Sequence, residues 1–307
     1  MFVKKVNKEI EGILEKSISF CAFISIAIII LIISFILKEA LPLFWGKAED
    51  DNGIVGFSRL FDLSWIPVSN YPKYGIIPLF AASLKISFIA LLIAFPVSVF
   101  SALFTATFAP KFIKEIMKPA IEILAGIPSV VIGFFALAFL ASFLQKLFGY
   151  HYRLNAFSGG VALSLALIPI IYTVIEDALN SVPKSLKEAS MALGATKWET
   201  SFFVVLPAAT PGVFAAFLLG FGRAIGETMI VLMASGNAAL LSFDIFEPVR
   251  TMSATIGAEM AEVVFGDAHY NILFFIGTCL LGISLIINAI AEFVIRRRIM
   301  RRFRGIT

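Results

Sequence analysis

Apolar residues in this chain come in long, nearly unbroken blocks, each ended by a short polar segment, and do not follow a strand or surface-helix period. A block of about 20 such residues crosses the hydrocarbon core of a bilayer as a helix. Residues 17–37 form the first, uncharged throughout and preceded by Lys4, Lys5, Lys8 and Lys16. It exceeds a signal-peptide core, and the following Lys38-Glu-Ala-Leu-Pro is a poor cleavage context, so a retained span is expected. Further spans are expected over 86–108 (with Pro96), 123–144, 157–175, 208–235 and 272–291. The pattern predicts an all-α polytopic transmembrane bundle of six spans.

Composition agrees with the pattern. Hydrophobic residues make up 59% of the 307, charged ones 15%, and the mean hydropathy is +0.94, outside the range of soluble proteins. A net charge of +4 would suit a nucleic-acid partner, but the cations flank apolar blocks, where they report membrane orientation; no nucleic acid is expected. Lys111, Lys114 and Lys118, then Lys184, Lys187 and Lys197, and finally Arg296 to Arg298, Arg301, Arg302 and Arg304 all fall inside if both termini are cytoplasmic. The intervening loops are poorer in cations, so the positive-inside rule favours that orientation. Cys21 and Cys279 both lie within expected spans and are expected as free, buried thiols.

One polar interruption stands out. Residues 183–197 link the fourth and fifth spans, with Pro183 at a helix start, Ser185 and Glu188 at capping-box spacing, Gly194 suited to a left-handed helix stop, and Thr196 and Glu199 repeating the box. A short helix lying along the cytoplasmic membrane surface is expected. Glu188-Ala189-Ser190, then Gly194, Val204 and Leu206-Pro207, resemble the E-A-A-x3-G-x9-I-x-L-P signature of ABC-importer permeases, with Ser and Val at two variable places. That resemblance implies the type I importer permease fold. It also implies that Glu188, Ala189 and Gly194 belong to a coupling helix that docks into a separate ATPase.

Arg223 and Glu227 lie inside the fifth block. Four residues apart, they share a helix face, and counting about 1.5 Å per residue places Arg223 well within the membrane. Ionisable groups there face a bundle interior or a solute route. A structural ion pair tying two helices together is one reading. The other is an anion route, with the guanidinium fork meeting an oxyanion and Glu227 holding it when the route is empty. Gly222 and Gly226 have G-x-x-x-G spacing, which permits close helix approach or widens a route.

The run Gly222-Arg223-Ala-Ile-Gly226-Glu227-Thr228 is similar to the R-A-I-G-E-T segment of phosphate-import permeases, and Gly126-Ile-Pro128-Ser129-Val-Val-Ile-Gly133 resembles their G-I-P-S-V-V-x-G segment. The continuation after Thr228, the first span and the long first loop are more similar to the C-type than to the A-type subunit. Phosphate as substrate is implied by that resemblance; charge alone reaches an anion, sulfate and molybdate included. Implied partners are a homologous A-type permease subunit, two cytoplasmic ATPase subunits carrying ATP and Mg, and an external phosphate-binding protein. This chain lacks a G-x-x-x-x-G-K-[ST] run, so hydrolysis is expected on another chain and no cofactor on this one.

Three segments are expected: 1–78 as an N-terminal appendage, 79–292 as the permease domain, and 293–307 as a basic cytoplasmic tail. Ser129, next to Pro128, would open a helix inside the membrane and line the route, or merely sit at a kink. Met252-Ser-Ala-Thr-Ile-Gly257-Ala-Glu259 lies in an acidic loop, either solvated or receiving the binding protein. A secondary anion transporter remains an alternative from the residues alone; an intramembrane enzyme would need a nucleophile–base or metal constellation that the sequence does not offer.

Overall fold

The computed structural model describes residues 2–50 and 53–303, with side chains for 14–49 and 53–293. The side chains of Lys4, Lys5 and Lys8 and of the arginines from Arg296 onward lie outside the described residues. Helix α1 (Phe2–Phe44) leads into a segment of two short antiparallel ladders, β1 (Glu49–Asp50) with β2 (Gly53–Ile54) and β3 (Trp65–Ile66) with β4 (Lys73–Tyr74). A 3-10 turn at Phe57–Phe61 separates them. The end of the bundle carrying these strands is termed the ladder end.

Eleven helices follow among the described residues: α2 (Ile77–Leu103), α3 (Lys111–Ala125), α4 (Ser129–Phe135), α5 (Ala141–Phe148), α6 (Ala156–Asn180), α7 (Lys184–Ala192), α8 (Lys197–Glu199), α9 (Leu206–Gly226), α10 (Met229–Ala234), α11 (Met252–Glu259) and α12 (Ala268–Phe303). Pi-helical stretches at Phe104–Phe108, Ala136–Leu140 and Thr200–Val205 extend α2, join α4 to α5 and join α8 to α9. Six continuous helical stretches among the described residues are long and apolar enough to cross a membrane: Leu14–Phe44, Ile77–Phe108, Ser129–Phe148, Ala156–Asn180, Lys197–Gly226 and Ala268–Phe293.

Span ends shift by several residues, the second starting at Ile77 instead of 86, and two of the expected blocks are broken by the backbone. The third begins at Ser129, not at 123, because α3 is a separate amphipathic helix that stops at Gly126. Pro128 has extended backbone (ψ 140°), and a proline disfavours helical backbone in the residue before it, so the chain restarts as α4. The fifth ends at Gly226: Glu227 is extended (φ −72°, ψ 129°), and α10 is a separate six-residue helix.

α6 is the centre of the bundle. The most apolar stretch of α6 is 61% buried, whereas that of α1 is exposed. In lipid, helices gain little from apolar transfer and associate through close contact at small residues. A Cβ on Gly160 of α6 would stand 2.5 Å from Cγ2 of Ile89 on α2, and one on Gly220 of α9 would stand 2.6 Å from Cδ1 of Ile171. These glycines let α2, α6 and α9 approach, and Ile86, Leu103, Leu163, Leu167 and Ile175 fill the space around them.

Among the described residues, α1 meets the bundle towards its C-terminal end, where Phe35 meets Phe274 edge-on at 5.6 Å and Phe44 meets Phe275. Cys21 is therefore exposed, not buried as expected, and Cys279 is half-buried; both are free thiols. A second core at the ladder end unites Leu43, Leu60, Trp65 and Tyr74 with Met252, Ile272 and Ile276. The 45–76 segment is thus packed onto α11 and α12.

Candidate functional site

The polar link between the fourth and fifth spans forms the short helix α7, with Pro183 as its N-cap. The Ser185–Glu188 capping box does not form: Ser185 lies inside the helix, and no side chain caps the start. Gly194 has φ +91°, so the left-handed stop occurs where expected, and the Ala195 N–H donates to the Ser190 carbonyl at 3.2 Å. The second box does form. Thr196 accepts from the Glu199 N–H while the Glu199 carboxylate accepts from the Thr196 N–H at 2.8 Å. A contact between the Ser190 and Thr200 hydroxyls, 3.0 Å apart, folds α7 back against the start of the fifth span.

What this leaves outward is chemically specific. Glu188, Ala189 and Gly194 are exposed, and beside them Leu193 is 90% exposed and Trp198 58%. Two large apolar side chains thus stand exposed on a polar elbow. Lys187 sits here with Lys114 and Lys184 near by; partial burial first, then those two like charges, push its ammonium pKa down.

The charged pair occupies the break in the fifth span. A terminal nitrogen of Arg223 lies 3.6 Å from Oε2 of Glu227, with Arg223 47% exposed and Glu227 5% exposed. The other carboxylate oxygen accepts a long 3.4 Å bond from the Ile230 N–H at the start of α10. One oxygen thus belongs to the guanidinium and the other to the next helix. A Cβ on Gly226 would meet no heavy atom of another segment within 4 Å, and one on Gly222 would make an ordinary contact of 3.8 Å with Ile287. Gly222 therefore meets α12 in ordinary contact, Gly226 is open, and the close approaches of this helix fall to Gly212, against Ala178, and Gly220.

Ser129 is half-buried in the first turn of α4. Its helix packs on α10 at Gly133, whose Cβ would stand 3.1 Å from the Met229 carbonyl. No hydrogen bond joins Ser129 to Arg223 or Glu227 among the described residues, so the fold places it on a neighbouring helix without bringing it into the pair.

The acidic loop is more ordered than its composition suggests. Met252, Ser253, Ala254 and Thr255 of α11 are buried, and Thr251 caps the helix by accepting from the Ala254 N–H. Glu259, at its end, accepts from Trp65 Nε1 at 3.1 Å, pairs with Arg250, and lies 2.9 Å from His269 Nε2. Burial alone would raise this carboxyl, but the hydrogen bonds from His269 and Trp65 and the charge of Arg250 outweigh it and hold the pKa below the usual carboxylate range. Sequence reasoning missed this cluster. Trp65 and Glu259 are 194 positions apart, and no local signal pairs them.

Residues 94–300 match the family described as binding-protein-dependent transport system inner membrane component. The chain is 33% identical over 293 residues to a probable ABC transporter permease protein, YqgH, of Bacillus subtilis, covering 95% of this chain and 93% of that one. It is also 33% identical over 287 residues to the phosphate transport system permease protein PstC of Mesorhizobium japonicum, covering 87% and 86%. Among solved structures, a bacterial ABC transporter that imports alginate superposes with a TM-score of 0.58 at 17% identity over 92% of this chain and 98% of that one. The inward-facing MetNI methionine transporter gives 0.53 at 19% over 73% and 94%. These two likenesses establish the type I importer permease fold.

Proposed function

The chain belongs to the binding-protein-dependent transport system inner membrane components, a multi-pass transport subunit and not an enzyme, and from that premise we propose that it is the C-type permease subunit of an inorganic phosphate importer. The relative from Mesorhizobium japonicum is a phosphate transport system permease protein by name. The observation that carries the reading is the Arg223–Glu227 pair at a helix break in an otherwise apolar span, with open space at Gly226. An oxyanion approaching the exposed guanidinium competes with Glu227, and Glu227 then reclaims Arg223 when the anion leaves. Ser129, on the neighbouring α4, is a lining group of the same route.

In this reading the 183–197 elbow is cytoplasmic, as are both termini. The ridge of Leu193 and Trp198 beside Glu188, Ala189 and Gly194 docks into a separate ABC ATPase, present in two copies. A homologous A-type permease completes the pathway, and a phosphate-binding protein delivers substrate at the ladder end. Closure of the ATPases pulls the elbow and, through Ser190–Thr200 and the fifth span, moves the break at Glu227.

Uptake of labelled phosphate by cells with and without this chain, with unlabelled sulfate or molybdate as competitor, tests the assignment. Uptake is expected only in cells that have the chain, and neither sulfate nor molybdate in excess should reduce it. Uptake that sulfate or molybdate abolishes would assign a different oxyanion.

A further inference from the structure

The backbone at the break is held from one side by α11. The Glu227 carbonyl has left the helical ladder, and its hydrogen-bond donor is Ser253 Oγ at 2.7 Å, in a buried contact 26 positions away. One turn later, a Cβ on Gly257 would stand 2.7 Å from Cγ2 of Thr228, so α11 lies flush against the residue after Glu227. The start of α11 is tied to the core as well, the Met252 N–H donating to Ser83 Oγ of α2 at 3.0 Å. Its far end is Glu259, gripped by Arg250, His269 and Trp65, the last belonging to the ladder segment.

We infer that Ser253 is a positioning residue for the Glu227 carboxylate, and that α11 is a strut carrying displacements of the ladder end to the Arg223–Glu227 pair. The inference rests on that pair lying on the anion route. Ser253 touches no solute. By fixing the Glu227 carbonyl it sets the direction in which the carboxylate leaves the break, and hence whether one oxygen faces Arg223 while the other faces the Ile230 N–H. Six positions along one helix, from Ser253 to Glu259, then separate a contact with the route from a contact with the strand segment. Anything seated on the ladder end that shifts Trp65 or Arg250 shifts Glu259, and a packed helix transmits that shift instead of absorbing it. The acidic loop's most buried stretch thereby acquires a role beyond receiving a partner.

A double-mutant cycle in the assembled transporter, reconstituted in vesicles, tests the strut. Glu227→Gln is expected to lower the maximal uptake rate. Ser253→Ala, which strands a buried carbonyl, is expected to lower it about tenfold while the KM for the loaded binding protein stays unchanged. Glu259→Gln alone is expected to lower the rate as well, and wild-type uptake by it would overturn the strut; in the Glu227→Gln background neither Ser253→Ala nor Glu259→Gln should add much. Losses that multiply in either double variant would overturn the strut while leaving the route intact. Normal uptake by Glu227→Gln would overturn the route itself, and the positioning role with it. If Ser253→Ala fails to assemble, the Glu259→Gln arm decides alone, by the same criterion of additivity.

Discussion

Removing one member of the charged pair at a time has unequal costs, because its two members are unequally buried. At 3.6 Å, Coulomb's law gives about 5 kcal/mol with an effective dielectric of about 20 and about 1 kcal/mol with that of water. Arg223 is half in the open, so the working value lies towards the lower figure. Arg223→Ala leaves a 5% exposed carboxylate whose remaining donor is the Ile230 N–H at 3.4 Å. A buried charge without its partner is costly, and a loss of about 1–3 kcal/mol is expected, below the full penalty for a wholly buried pair. Glu227→Gln keeps the shape and an acceptor for Ile230, while the guanidinium, on the more exposed side of the helix, stays free to turn; a smaller loss than for Arg223→Ala is expected. Thermal unfolding of the assembled transporter, followed by size-exclusion recovery of intact complex after heating, reads the difference. Arg223→Ala should melt several degrees below Glu227→Gln. Equal melting of both variants, or the reverse order, would refute the claim that Glu227 is the buried partner.

Gly160→Ala should destabilise the assembled protein by about 1–3 kcal/mol through overpacking against Ile89, whereas Gly226→Ala, which meets no atom within 4 Å, should leave the melting temperature nearly unchanged. Gly194→Val forces a β-branched residue to φ +91° at about 1–3 kcal/mol of local strain; ATP hydrolysis should persist while transport per ATP falls, read by measuring both in one vesicle preparation. The folded pKa of Glu259 lies below its unfolded value, so its contribution to stability is present above the ordinary carboxylate range and is lost as pH falls through the lowered value. Wild-type stability should therefore decline more steeply on acidification than that of Glu259→Gln, and parallel pH curves would contradict a stabilising role for the Glu259 contacts with His269, Trp65 and Arg250.

The bundle was legible from the chain because apolar blocks report span number directly. Where the expected ends failed, backbone chemistry overrode hydropathy: Pro128 and the extended Glu227 both interrupt stretches whose composition continues unchanged on either side. The elbow read well for a related reason, since Gly194 and Thr196–Glu199 make their contacts within a few residues. Ser185 and Glu188 misled because Pro183 starts the helix two residues before the box requires. The charged pair was legible by spacing. Its unequal burial was not, because that depends on α10 and α11, which reach Glu227 from later in the chain. The Trp65–Glu259 contact joins segments that only the folded ladder end brings together.

The central claim is that an anion crosses the membrane past Arg223 when force is applied at the 183–197 elbow. Its most direct test is ATP hydrolysis and labelled phosphate accumulation measured together in vesicles holding the complete transporter, wild type against Arg223→Gln, with the binding protein inside the substrate compartment. The expected result is continued hydrolysis with phosphate accumulation reduced to the level of vesicles without ATP. Accumulation at the wild-type rate in an intact Arg223→Gln complex would contradict it.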